Sequence, residues 1–216
     1  MSNQNDLKIP VGEVILEGSL TLPSDAHSVV LFAHGSGSGR FSPRNQYVGK
    51  EFNKAKIGTL LFDLLTREEE DEDMVTAEYR FNIGLLAERL IGATLWLKSD
   101  RLTKSCLLGY FGASTGAAAA LIAAAKLPND IAAVVSRGGR PDLAANYLSK
   151  VVAPTLLLVG GLDIEVIELN REAMAKMTAQ KKLVIVPGAT HLFEERGKLE
   201  EVAKLSINWF LRYLVK

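Results

Sequence analysis

Cys106-Leu107-Leu108-Gly109-Tyr110-Phe111-Gly112-Ala113-Ser114-Thr115-Gly116 runs directly into Ala117-Ala118-Ala119-Ala120-Leu121-Ile122. The first half reads as a buried strand and the alanine-rich second half as a helix, with Ser114 at the apex of the turn between them. A strand that becomes a helix within about two residues forces its central residue into a strained backbone conformation. Gly112 and Gly116 lack the Cβ atoms that would collide as the helix folds back on its strand. The Ser114 hydroxyl is then expected to stand above the sheet edge, at the positive end of a helix. The competing reading is that Ser114 merely caps that helix.

Working outward, short apolar runs alternate with helical patterns. Val29-Val30-Leu31-Phe32-Ala33, Thr59 to Asp63, Ile131 to Ser136, Thr155 to Gly160 and Leu183 to Val186 read as strands buried on both faces. Residues 7–22 alternate apolar and polar around Pro10, Gly12 and Gly18, as an edge hairpin does. Helices are expected over 45–56, 164–178 and 197–214. Another is marked by Ile83, Leu86, Leu90, Ala93 and Leu97, spaced by three and four. Residues 64–76, with six consecutive acids from Glu68 to Asp73, read as a solvated loop, a cation site being the alternative. The pattern predicts an α/β fold: a mostly parallel sheet of about eight strands between two helical layers, in a single domain over 1–216. The connection from Ser136 to Pro154 is too short for a large lid. Right-handed crossovers gather the strand-to-helix loops on one edge, where sites in open sheets form.

Composition narrows the function classes. Of 216 residues, 48% are hydrophobic, and 25 basic residues balance 25 acidic ones, which argues against a nucleic-acid partner. The single cysteine, Cys106, excludes an internal disulfide and reads as a core residue of the strand before Ser114. The polar stretch Ser2 to Asp6 lacks the order of a signal peptide, and no apolar run is long enough to span a bilayer. A cytoplasmic protein with no membrane partner is expected. Self-association is not readable.

A serine hydroxyl needs a neighbouring base, normally a histidine held in one tautomer by a carboxylate. Of His27, His34 and His191, only His191 follows the last strand. Asp163 follows the strand before that, with Asp142 as the alternative acid, or Asp163 caps the helix beginning at Ile164. The glycine-rich loop His34-Gly35-Ser36-Gly37-Ser38-Gly39 offers backbone donors. The N–H groups of Ser36 and Thr115 are expected to receive a developing oxyanion, with Gly35 in reserve and His34 orienting the loop. The loop lacks the Gly-Lys-Ser/Thr ending of a nucleotide-binding P-loop. No paired histidine or cysteine spacing suggests a metal, and no cofactor is expected. Arg40, Arg44, Arg137 and Arg140 fall on the same edge, with Arg137, and secondarily Arg44, as candidates for a substrate carboxylate.

Taken together, His34 to Ser38, Ser42-Pro43-Arg44-Asn45, the turn at Ser114, Ser136 to Pro141, Asp163 and His191 resemble small, lidless, dienelactone-hydrolase-like members of the α/β-hydrolase superfamily. The order Ser114, Asp163, His191 is the one that superfamily uses. The resemblance implies a hydrolase that forms an acyl-enzyme on a small-molecule ester. Founding members carry a cysteine nucleophile where this chain has Ser114, which favours ordinary carboxylic esters over dienelactone. Thioesters, lactones and acyl transfer are alternatives for the same triad. A non-catalytic binding protein on this scaffold is the alternative from another class.

Overall fold

The continuous apolar runs form the central strands of one sheet, and the amphipathic segments cover its two faces. The computed structural model describes residues 3–214. In chain order the elements are β1 (Asn3–Val11), β2 (Val14–Leu22), β3 (Ser28–Ala33), α1 (Pro43–Lys54), β4 (Gly58–Phe62), α2 (Arg67–Thr76) and α3 (Ile83–Ser99). Then come β5 (Leu107–Ala113), α4 (Thr115–Lys126), β6 (Ile131–Arg137), β7 (Thr155–Gly160), α5 (Ile164–Lys176), β8 (Lys181–Val186) and α6 (Lys198–Tyr213). The eight strands lie in the order β1-β2-β4-β3-β5-β6-β7-β8. The β1–β2 and β2–β4 pairs are antiparallel and the rest are parallel. This is the α/β-hydrolase architecture expected from the sequence.

Alternation along each strand sorts the core into two layers. Val29, Leu31, Leu60 and Tyr110 pack towards α3 and α4, while Val30, Phe32, Phe111 and Val135 pack with residues of α1 and α6. In the second layer Phe32, Phe52, Phe111 and Phe210 contact one another with ring centroids 4.9–5.7 Å apart. Such offset and edge contacts suit the ring quadrupoles. The four alanines opening α4 are fully buried, so this helix lies close on the sheet. Two short 3₁₀ turns, Pro141–Ala144 and Leu148–Lys150, occupy the connection from β6 to β7.

Two expectations are corrected. Residues 67–76 form helix α2 rather than a solvated loop. Thr66 accepts from the Glu69 N–H at 3.2 Å, and Glu69 accepts from the Thr66 N–H at 2.8 Å, a reciprocal cap. Glu68, Glu69 and Glu70 occupy the first turn, where the helix dipole favours negative charge. Asp73, near the end of the acidic run, is buried, accepting from the N–H groups of Tyr79 and Arg80 and from the Arg80 guanidinium. Burial opposes the charge on Asp73, but those donors outweigh it and hold the carboxyl below its usual range. Cys106 lies one residue before β5 and is half-buried, packed against the core rather than enclosed in it.

Candidate active site

The turn at Ser114 is as tight as the glycines around it demand. Ser114 has φ +50° and ψ −121°, outside the region that side chains favour. A Cβ on Gly112 would lie 2.5 Å from the Ala117 Cα, and one on Gly116 would lie 2.2 Å from the Ala33 carbonyl oxygen. The Ser114 side chain makes no helix-capping hydrogen bond, so its hydroxyl is not occupied as a cap.

The loop after β6 holds this turn from one side. Ser114 N–H donates to the Arg137 carbonyl at 3.2 Å, and Arg140 N–H donates to the Ser114 carbonyl at 3.1 Å. Gly138, at φ +53°, presses the same loop on His191: a Cβ there would lie 3.0 Å from the His191 carbonyl oxygen and 3.5 Å from Nδ1 and Cε1 of its ring. The loop therefore touches both the serine and the histidine predicted to serve it.

His191 Nδ1 lies 2.6 Å from Asp163 Oδ2. Asp163 precedes α5 but makes no capping hydrogen bond, so its carboxylate is given to the imidazole. Asp142 instead forms a two-pronged pair with the Arg140 guanidinium at 2.9 and 2.8 Å. The His191 loop is pinned by Glu195, which accepts from the Thr190 N–H at 3.1 Å and from its hydroxyl at 2.5 Å.

On the other side of Ser114, a Cβ on Gly35 would lie 3.1 Å from the Ser114 Cβ, so the glycine loop abuts the turn. His34 is buried beneath that loop. Its Nε2 accepts from the Leu64 N–H at 2.9 Å and its Nδ1 lies 3.0 Å from the Gly35 carbonyl, which suits a neutral ring protonated at Nδ1. Burial lowers its pKa against the opposing Gly35 carbonyl and the Asp63 and Glu70 charges. The Ser36 N–H is directed onto the Thr115 hydroxyl at 3.1 Å. The loop and α2 enclose a cavity of about 50 Å³ lined by Ser36, Leu65, Met74 and Leu86 among others.

The edge arginines divide sharply. Arg40 pairs with Asp63 and Glu17, Arg44 with Glu194 at 2.5 Å, and Arg140 with Asp142. Arg137 is 6% exposed, has no ion pair or side-chain hydrogen bond among the described residues, and sits 6.0 Å from the Phe193 ring centroid. Burial and the nearby Arg44 lower its pKa to about 10. Charge pairing, the feature that separates Arg137 from the other three, had no signal in the sequence. Among the described residues no group of three or more His, Cys, Asp or Glu side chains could hold a metal ion, and no helix is long and apolar enough to cross a membrane.

The sequence profile of the dienelactone hydrolase family matches residues 49–213. The chain belongs to the dienelactone hydrolase family. A family member of known structure, a dienelactone hydrolase from Anabaena variabilis ATCC 29413, is 54% identical, with 99% of each chain covered and a TM-score of 0.98. Est1E from Butyrivibrio proteoclasticus shares the fold at 16% identity, covering 96% of this chain and 98% of its own, with a TM-score of 0.80. Two Mycobacterium tuberculosis proteins with a provisional phosphoribosyl transferase name are 53% identical over 209 residues, 97% of this chain and 46% of theirs. The chain thus spans about half the length of those curated relatives.

Proposed function

We propose that this member of a hydrolase family is a serine esterase, cleaving small to medium carboxylic esters through an acyl-enzyme. The observation that carries the reading is the 2.6 Å contact between His191 Nδ1 and Asp163 Oδ2, on a loop that also touches the one holding Ser114 at φ +50°. His191 takes the Ser114 proton as Oγ attacks the ester carbonyl, and Asp163 fixes the tautomer and steadies the imidazolium. The N-terminus of α4 receives the oxyanion. The alcohol leaves with the proton from His191, and water, activated by the same imidazole, releases the acid. The residues carry the chemistry without a cofactor.

Arg137 is the side chain we assign to a carboxylate on the substrate, because it alone of the four edge arginines lacks an anionic partner. Arg44, the second candidate, is already paired with Glu194. The transferase name of the curated relatives we read as a property of the half that this chain does not match. In this chain the glycine loop that would cradle a phosphate has its Ser36 amide turned onto Thr115.

The test is turnover of p-nitrophenyl acetate with Ser114→Ala as control. Loss of activity with retained fold supports the reading, and so does fluorophosphonate labelling confined to Ser114. Equal activity in the alanine chain overturns it. A folded wild-type chain with neither turnover nor labelling points to the non-catalytic alternative.

A further inference from the structure

The sequence predicts two backbone oxyanion donors, one on Ser36 and one on Thr115, yet the Ser36 N–H is directed onto Thr115 Oγ1 at 3.1 Å. Ser36 Oγ lies 3.0 Å from that same hydroxyl and donates to the Arg80 carbonyl at 3.3 Å. A carbonyl only accepts, so in this arrangement the single Ser36 hydroxyl proton goes to Arg80 and Thr115 donates across the 3.0 Å contact. The result is a one-way chain: Ser36 N–H to Thr115 Oγ1–H, to Ser36 Oγ–H, to the Arg80 carbonyl. Chains of this kind polarise each hydroxyl along their length.

The chain has one exchangeable link. Thr115 is 4% exposed and follows Ser114 directly, so its hydroxyl has few acceptors to choose from. Ser36 is exposed, and water can replace Thr115 as a donor to its oxygen. The Thr115 N–H, in the first turn of α4, has no acceptor within the helix.

We propose that Thr115 supplies two donors to the oxyanion, its backbone N–H and its Oγ1–H, and that the Ser36 amide acts through the hydroxyl rather than on the substrate. This rests on the ester-hydrolysis reading above. As the substrate carbonyl becomes an alkoxide, Oγ1–H leaves the neutral Ser36 Oγ for an anionic acceptor. A charge-assisted hydrogen bond of that kind is about twice as strong as a neutral one. The proton stays on Thr115 throughout, and the hydroxyl turns back to Ser36 when the tetrahedral intermediate collapses. The Ser36 N–H remains on Oγ1 and keeps it polarised.

The experiment compares Thr115→Val and Thr115→Ser with the wild-type chain on p-nitrophenyl acetate. Valine keeps the shape and the backbone N–H but removes the hydroxyl. The proposal expects kcat to fall about 10- to 100-fold in T115V with KM within about twofold, and T115S to stay within about threefold of wild type. Affinity for an alkyl boronic acid, which mimics the tetrahedral state, is expected to fall in T115V by the same factor as kcat/KM. Thr115→Ala against Thr115→Ser gives the same comparison if the valine chain fails to fold. Wild-type kcat in both T115V and T115A overturns the proposal. A faster T115V also overturns it, because the hydroxyl would then be blocking the site. Equal losses in T115S and T115V reduce Thr115 to a packing role and overturn it as well. If Ser114→Ala abolishes wild-type turnover while T115V matches wild type, only the hydroxyl assignment fails. If the wild-type chain neither turns over ester nor labels at Ser114, the esterase reading fails and this one with it.

Discussion

Gly116 stands so close to β3 that a methyl group on it would come within 2.2 Å of the Ala33 carbonyl oxygen and 2.3 Å of the His34 carbonyl oxygen. Both obstacles are backbone, so neither can rotate away. Gly116→Ala is expected to cost about 3 kcal/mol or more, because the helix must lift off the sheet. Urea unfolding checks this. A loss below about 1 kcal/mol contradicts the packing described.

Asp163→Asn keeps the size of the side chain but lets the amide present either a donor or an acceptor to His191 Nδ1, now 2.6 Å from a carboxylate. The imidazole is then free to take the wrong tautomer, and kcat on p-nitrophenyl acetate is expected to fall by about 10³-fold or more. Asp142→Asn loses only the pair with Arg140 and is expected to change kcat by less than about threefold. The reverse ranking would move the acid to Asp142.

His34 gives the fold a pH dependence of its own. Burial lowers its pKa, so below the ordinary histidine value of about 6.5 the unfolded chain takes up a proton that the folded chain refuses. Stability from this group is therefore complete above that value and declines as pH falls from it towards the folded pKa. Melting temperatures between about pH 7.5 and 5 are expected to drop in the wild type, with a shallower slope in His34→Gln. Parallel slopes would remove His34 from the account.

An unpaired buried cation costs stability, so Arg137→Met is expected to raise stability by about 1 kcal/mol or more, and the melting temperature by about 3 °C. The same change is expected to abolish any preference for an ester bearing a carboxylate over its neutral counterpart. A stabilised variant with unaltered preference would leave Arg137 without the substrate role assigned to it.

The parts of this molecule that the sequence makes legible are those fixed by neighbours along the chain. Ser114, Asp163 and His191 each lie in a short loop directly after a strand, so topology alone carries them to one edge. Helix α2 is less legible, because the repulsion within Glu68 to Asp73 is offset by partners that lie outside the acidic run. The Thr66 and Glu69 cap was available locally, but the burial of Asp73 depends on donors from Tyr79 and Arg80 that only the folded turn brings round. The contact of Ser36 with Thr115 spans 79 residues and joins two loops, which no periodicity relates. The solitude of Arg137 is likewise a fact about what surrounds it, and a residue's own identity does not carry that.

The backbone of Ser114 is tied at its N–H to Arg137 and at its carbonyl to Arg140, while Gly138 between them rests on the His191 ring. The proposed nucleophile and base thus share one mount. The loop after β6 is the one segment that these contacts link to both residues at once. A substitution that shifts the loop after β6 would therefore bear on both members of the proposed pair at once, even though it replaces neither of them.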